Sequence, residues 1–212
     1  MKGRKAFFYI SAVYLSFGKR VIDVIFGIML LVLSSPLLGA ITLVQLVHAN
    51  GILFLQKRAG QNGVPFTIIK FKTMIDKKDN DGNSLPDHLR LTTWGKFLRS
   101  WSLDELPQLV NVLFGEMSLI GPRPLLPEYS KRYSDKHLKR LDVKPGLTGL
   151  AQINGRNKTS WQQRLDLDVK YVDNISLKSD MLILVRTFFK VLNADGISSS
   201  ETVSMPEFTG YK

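Results

Sequence analysis

Val24–Gln56, VIFGIMLLVLSSPLLGAITLVQLVHANGILFLQ, contains no Asp, Glu, Lys or Arg, and its reading decides the fold. A bilayer crossing takes about 20 residues of helix, so the run is long enough to enter a membrane. Near its middle stand Ser34-Ser35-Pro36. Proline removes one backbone donor and clashes one turn back, which predicts a kinked or broken helix there.

Both flanks of the run are basic. Lys2, Arg4, Lys5, Lys19 and Arg20 precede it, and Lys57 and Arg58 follow it. Short loops rich in Lys and Arg stay on the cytoplasmic side. A single crossing would strand the N-terminal charges outside, whereas a helix broken at Ser35-Pro36 and returning to the same face strands none. An ordinary spanning helix with a tolerated proline is the competing reading. A break also frees carbonyls around Val32 and Leu33, and the Ser34 and Ser35 hydroxyls are placed to satisfy them. Asp23 follows Lys19 and Arg20 by four and three residues, so the three can share one helix face at the interface. Upstream, Phe7, Phe8, Ile10, Val13, Tyr14 and Phe17 read as an amphipathic lead-in on the membrane surface.

The chain has 212 residues, enough for one globular domain beside a membrane segment. The divisions expected are an interfacial tail (1–18), a re-entrant membrane hairpin (19–50), a catalytic domain (51–200) and a C-terminal tail (201–212). Lys and Arg number 29 against 18 Asp and Glu, a formal charge of +11. Solvated surface and positive-inside flanks account for such an excess, and so does a nucleic-acid, anionic-lipid or phosphate-rich partner. Cysteine is absent, which excludes disulfides, thiol nucleophiles and cysteine metal sites. The three histidines, His48, His88 and His137, are scattered and form no zinc spacing.

Downstream, 52–56 and 66–73 read as short strands around a turn at Gly60 and Asn62-Gly63. The polar stretch 76–86 reads as a loop, 94–101 and 102–114 as helices, and Pro124 or Pro127 as the start of another helix. Residues 144–156 are rich in turns. Trp161, Leu165, Val169 and Val172 have helical spacing. Residues 181–192 suit a helix in the membrane interface, with Arg186 and Lys190 four apart. The class expected is α-rich α+β: a re-entrant membrane helix, a short β-hairpin, a small cytoplasmic domain and interfacial amphipathic helices.

Two motifs can carry chemistry. In Ser102-Leu103-Asp104-Glu105, Ser102 and Glu105 match a capping box, and acids in a first turn favour the helix dipole. The alternative is a functional carboxylate pair, one acid a nucleophile toward phosphorus and the other a ligand for a hard cation. In Gly121-Pro122-Arg123-Pro124, two prolines fix the backbone around one guanidinium, whose fork suits phosphate oxygens. A rigid surface turn is the plainer reading. Lys70, Lys72 and Arg99 add positive charge nearby in sequence, the two lysines on one face of a strand.

The succession Lys19-Arg20-Val21-Ile22-Asp23, Ser35-Pro36, Phe71-Lys72-Thr73-Met74, Ser102-Leu103-Asp104-Glu105-Leu106-Pro107-Gln108-Leu109, Met117-Ser118-Leu119-Ile120-Gly121-Pro122-Arg123-Pro124 and Lys144-Pro145-Gly146-Leu147-Thr148-Gly149 resembles the bacterial sugar transferase family, the small monotopic phosphoglycosyl transferases. The resemblance runs from Lys19 to about Ser199. It implies transfer of a sugar-1-phosphate from a UDP-sugar to undecaprenyl phosphate, with release of UMP. It further implies Asp104 as nucleophile, Glu105 as Mg²⁺ ligand, and Lys70, Arg99 and Arg123 on substrate phosphates. Anionic membrane lipid is the implied surface, the cytoplasmic face of the bacterial inner membrane the implied location, and nucleic acid is not an implied partner. Trp161-Gln162-Gln163 and the stretch 154–157 resemble members whose donor is UDP-diacetylbacillosamine. Two alternatives stay open: direct transfer in a ternary complex with Asp104 as base or metal ligand, and a non-catalytic, membrane-tethered basic module.

Overall fold

The computed structural model describes residues 14–48, 51–155, 159–192 and 207–210. The lead-in expected at Phe7, Phe8, Ile10 and Val13 and the stretch at 156–157 lie outside them. A π-turn at Tyr14–Gly18 leads into α1 (Lys19–His48), a 30-residue helix with Pro36 inside it. Pro36 cannot donate to the Val32 carbonyl, and Ser35 Oγ does so instead at 2.8 Å, while Ser34 Oγ reaches the Leu31 carbonyl at 3.4 Å. Ser35 thus meets the need foreseen at Val32, Ser34 turns to Leu31 and not to Leu33, and the helical backbone continues through the proline without a gap.

Both ends of α1 pack on the rest of the chain and its centre does not. Ile22, Phe26 and Leu31 lie against the main core, Ile41 is buried against Phe71 and Leu98, and Gln45 Nε2 donates to the Lys72 carbonyl at 2.6 Å. Ile28, Met29, Val32, Leu33 and Leu37 between them are exposed. The shared face expected for Lys19, Arg20 and Asp23 resolves into three separate partners. Lys19 pairs with Asp180 at 2.6 Å. Arg20 donates to the Val112 and Leu113 carbonyls. Asp23 is buried and accepts from Ser118 Oγ and Leu119 N. Long-range demand outweighs the short-range i,i+4 attraction here, because an exposed helix pair contributes only about 0.2–0.5 kcal/mol.

β1 (Leu53–Ala59) and β2 (Pro65–Phe71) form the expected antiparallel hairpin, in register from Leu53 opposite Phe71 to Ala59 opposite Pro65. Alternation puts Phe66 and Ile68 into the core. After a loop come α2 (Asp87–Arg90) and α3 (Thr93–Ser100), the latter capped by Thr92, whose side chain accepts from Gly95 N. α4 (Gln108–Phe114) follows a 3₁₀ turn, Leu103–Glu105, so the single helix expected over 102–114 is split. The segment after Pro127 is likewise a 3₁₀ turn, Pro127–Arg132.

A second, parallel pair of strands was not anticipated from the sequence: β3 (Ser118–Ile120) beside β4 (Gly146–Thr148). α5 (Asp135–Leu138) lies between them in sequence, and α6 (Leu150–Gly155), α7 (Trp161–Asp173) and α8 (Leu177–Leu192) complete the order. β3, β4 and α4 meet β2, α7 and α8 around the main core of Leu109, Val112, Met117, Leu119, Ile120, Tyr171 and Ile183. α8 starts four residues before its expected position. It buries Ile183 and leaves Leu182, Val185, Phe188 and Phe189 exposed.

Candidate active site

The capping-box reading of Ser102 and Glu105 does not hold. Ser102 adopts a left-handed backbone (φ 56°), and its side chain makes no capping hydrogen bond. Such a conformation costs a non-glycine residue on the order of 1–3 kcal/mol and is retained where surrounding structure fixes it. Leu103 packs on the Phe71–Leu98 cluster and Leu106 on the main core. These two anchors hold the 3₁₀ turn that carries Asp104 and Glu105 between them.

The two carboxylates have different surroundings. Glu105 Oε1 accepts from Lys70 Nζ at 2.6 Å and from Arg123 Nη2 at 2.7 Å, while Oε2 has, among the described residues, only a long 3.5 Å contact with Arg123 Nη1. Burial works to raise the Glu105 pKa, but the Arg123 and Lys70 charges outweigh it and hold this carboxyl well below its usual range. Asp104 is 7% exposed, and among the described residues no donor makes a hydrogen bond to its carboxylate. Burial first, and then the Glu105 charge, push its pKa up to about 6 against the opposing pull of Lys70, Arg99 and Arg123. Glu105 is thus held as an anion, while the Asp104 carboxylate, with no hydrogen-bond donor among the described residues, is pushed toward ionising near pH 6. An acid so placed can act as a nucleophile or a base.

Each cation reaches the pair from a different element. Lys70 comes from β2, where burial lowers its pKa and Glu105 opposes the shift. Arg99 sits on the last turn of α3 and donates from Nε to Thr73 Oγ1 at 3.0 Å. It acts on Asp104 through its charge and not through a hydrogen bond. Lys72, grouped with Lys70 in sequence, turns to Asp76 instead. Sequence reasoning passed over Arg58, whose pKa falls to about 10 through burial and the neighbouring charge of Arg123. In sequence it stood only as part of the Lys57-Arg58 basic flank after the apolar run.

The turn that delivers Arg123 follows β3 directly. Gly121 N donates to the Thr148 carbonyl and Gly146 N to the Pro122 carbonyl, both at 2.9 Å. The two backbones approach so closely that a Cβ at Gly146 would lie 2.0 Å from Gly121 N, so only glycine fits. The single Tyr171 O–H lies between the Ile120 carbonyl at 3.1 Å and Asp180 at 2.9 Å, either of which accepts its proton, and this links the turn to the same Asp180 that holds Lys19 and Tyr14. Trp161-Gln162-Gln163 lies elsewhere. Trp161 packs edge-on against Tyr129, and Gln163 completes a capping box with Ser160.

The match to known proteins covers most of the chain. The family model described as "Bacterial sugar transferase" matches residues 14–194. The Bacillus subtilis protein named "Uncharacterized sugar transferase EpsL" is 49% identical over 193 residues, covering 91% of this chain and 96% of that protein. The UDP-glucose:undecaprenyl-phosphate glucose-1-phosphate transferase of Caulobacter vibrioides is 39% identical, covering 84% of this chain and 70% of that protein. The undecaprenyl-phosphate galactose phosphotransferase of Salmonella typhimurium is 38% identical over 85% of this chain, which spans only 41% of that longer protein. With the ordered motifs and the carboxylate pair set among cations, these matches establish that the chain belongs to the bacterial sugar transferase family.

Proposed function

We propose that the chain transfers a sugar-1-phosphate from a UDP-sugar to undecaprenyl phosphate and releases UMP, with Asp104 as nucleophile. The observation that carries this reading is the buried Asp104 carboxylate, which accepts no hydrogen bond among the described residues, beside a Glu105 clamped by Lys70 and Arg123. An Asp104 oxygen attacks the β-phosphorus, and the bond from that phosphorus to the oxygen of UMP breaks. The undecaprenyl phosphate oxygen then attacks the same phosphorus, and the bond to Asp104 breaks. Anion approaches anion in both steps, so the barrier is largely electrostatic. Lys70, Arg99 and Arg123 reduce it by placing positive charge around the reacting phosphates.

The loosely held Oε2 of Glu105 suits Mg²⁺, which takes one or two carboxylates and completes its shell with substrate phosphates and water. Glu105 is the proposed protein ligand. When bound, the cation would neutralise charge on the donor diphosphate.

The re-entrant reading of α1 is supported by contacts at both of its ends, an exposed centre, and the serine-satisfied carbonyl at Pro36. A straight 30-residue helix would run about 45 Å. Entry and return on the cytoplasmic face would set Asp104 where a lipid phosphate and a soluble nucleotide sugar meet, and α8 offers that surface its exposed Leu182, Val185, Phe188 and Phe189.

UMP release measured over a UDP-sugar panel, with and without undecaprenyl phosphate, tests the function. UDP-glucose and UDP-galactose lead the panel on the names of the relatives, and UDP-diacetylbacillosamine follows on the Trp161-Gln162-Gln163 resemblance. Absence of UMP with every donor would leave the non-catalytic binding module as the better reading.

A further inference from the structure

The turn that aims Arg123 at Glu105 is held from a third side by a buried ion pair. Arg140, 3% exposed, donates from Nη2 to the Arg123 carbonyl at 2.6 Å. Its Nε and Nη2 both reach Asp168 Oδ2, at 3.1 and 3.0 Å, and Nη1 reaches Tyr133 OH at 3.2 Å. Asp168, on α7, is 4% exposed. A buried ion pair is seldom a gain in stability over apolar residues of the same volume, because desolvating both charges offsets their attraction. Stability is therefore a weak reason for this pair, whereas geometry is a strong one. Pro122 and Pro124 contribute no N–H to the turn, so its orientation depends on what grips its carbonyls. Gly146 N holds the Pro122 carbonyl, and Arg140 holds the next one along.

We propose that Arg140, oriented by Asp168, is a positioning residue for the transfer reaction: by fixing the Arg123 carbonyl it sets the reach of the Arg123 guanidinium to Glu105 and to the reacting phosphates. The proposal rests on the function proposed above. Arg140 lies 17 residues from Arg123 and touches its backbone, so it acts through Arg123 and not on substrate. The planar fork is what allows one side chain to hold Asp168, Tyr133 and a carbonyl at once.

A double-mutant cycle tests it in the full-length protein in detergent or nanodiscs. The paired variant Arg140→Met with Asp168→Met removes both buried charges and leaves neither orphaned. The expected result is a kcat loss on the order of 10²-fold with KM for the nucleotide sugar changed far less. The same paired change made on top of Arg123→Met should cost almost nothing more, because its route of action is already gone. Arg140→Lys keeps a charge opposite Asp168 without the fork, and should hold Tm near wild type while losing kcat. Equal kcat losses from the paired change in the wild-type and Arg123→Met backgrounds would overturn the proposal, as would unchanged kcat in Arg140→Lys. A second cycle reads Tm alone: the loss caused by Arg123→Met should shrink by half or more in the paired background, and an unchanged loss would overturn the coupling. That cycle keeps its force if wild type releases no UMP, an outcome that would overturn the functional reading instead.

Discussion

Glu105 accepts from two cations, Lys70 at 2.6 Å and Arg123 at 2.7 Å, while its neighbour Asp104 accepts no hydrogen bond among the described residues. Adjacent carboxylates in one turn are thereby driven apart in acidity, Glu105 downward and Asp104 upward. Separation of this kind assigns different roles to two chemically similar groups.

Asp104→Asn should abolish UMP release, by on the order of 10³-fold or more. It should also raise Tm at pH 8. The folded-state pKa of Asp104 lies above its unfolded value, so its contribution to stability is present below pH 3.8 and lost as pH rises through about 6. Asparagine removes that loss. Thermal unfolding at pH 4 and pH 8 should show the gain at the higher pH only.

Glu105→Gln should act in the opposite sense on stability. Its folded-state pKa is depressed, so its stabilisation is present above the ordinary carboxylate range and lost in acid. At neutral pH the change leaves Lys70 and Arg123 facing an amide and should cost about 2 kcal/mol in chemical denaturation. A variant as stable as wild type at pH 7 would contradict the clamp.

In the proposed mechanism the ionised form of Asp104 attacks, so kcat/KM should rise with pH through about 6. Lys70 holds that value down by its charge, and Lys70→Met should move the acid limb to higher pH as well as lower the maximum. A pH–rate profile from pH 5 to 8 reads both effects.

Chelation should stop UMP release and Mg²⁺ should restore it, with Glu105→Gln requiring more Mg²⁺ for half-maximal rate. A titration of rate against free Mg²⁺ measures this. Full activity in chelator would remove Glu105 from the role of metal ligand.

The chain contains no cysteine, which gives a clean background for topology. Lys5→Cys and Lys57→Cys should both label from the cytoplasm only. If α1 re-enters as proposed, Pro36→Ala, which restores the missing donor, should favour a straight crossing and expose residue 5 to labelling from outside.

Local signals carried much of this structure, and long-range ones did not. The β1–β2 hairpin and α7 were legible because a glycine-rich turn signal and helical spacing act within a few residues, and α3 appeared within one residue of its expected bounds. β3 and β4 have three residues each, too few for a period, and their pairing depends on two glycines 25 residues apart meeting face to face. Asp104, Glu105, Lys70 and Arg123, singled out by residue type and given roles by the family resemblance, do converge, with Arg99 close enough to act through its charge. Arg140, Asp168 and the Tyr14–Lys19–Tyr171–Asp180 network were not found, since partners up to 166 residues apart leave no local pattern. The left-handed Ser102 was hidden by a capping-box match that tertiary contacts override.

Incubation with a UDP-sugar radiolabelled in its β-phosphate, without undecaprenyl phosphate, tests the nucleophilic role of Asp104 most directly. The account predicts label retained on denatured protein, discharged by adding acceptor, and absent in Asp104→Asn. Normal turnover with both substrates but no label on the protein at any time would contradict it, and would favour direct transfer in a ternary complex.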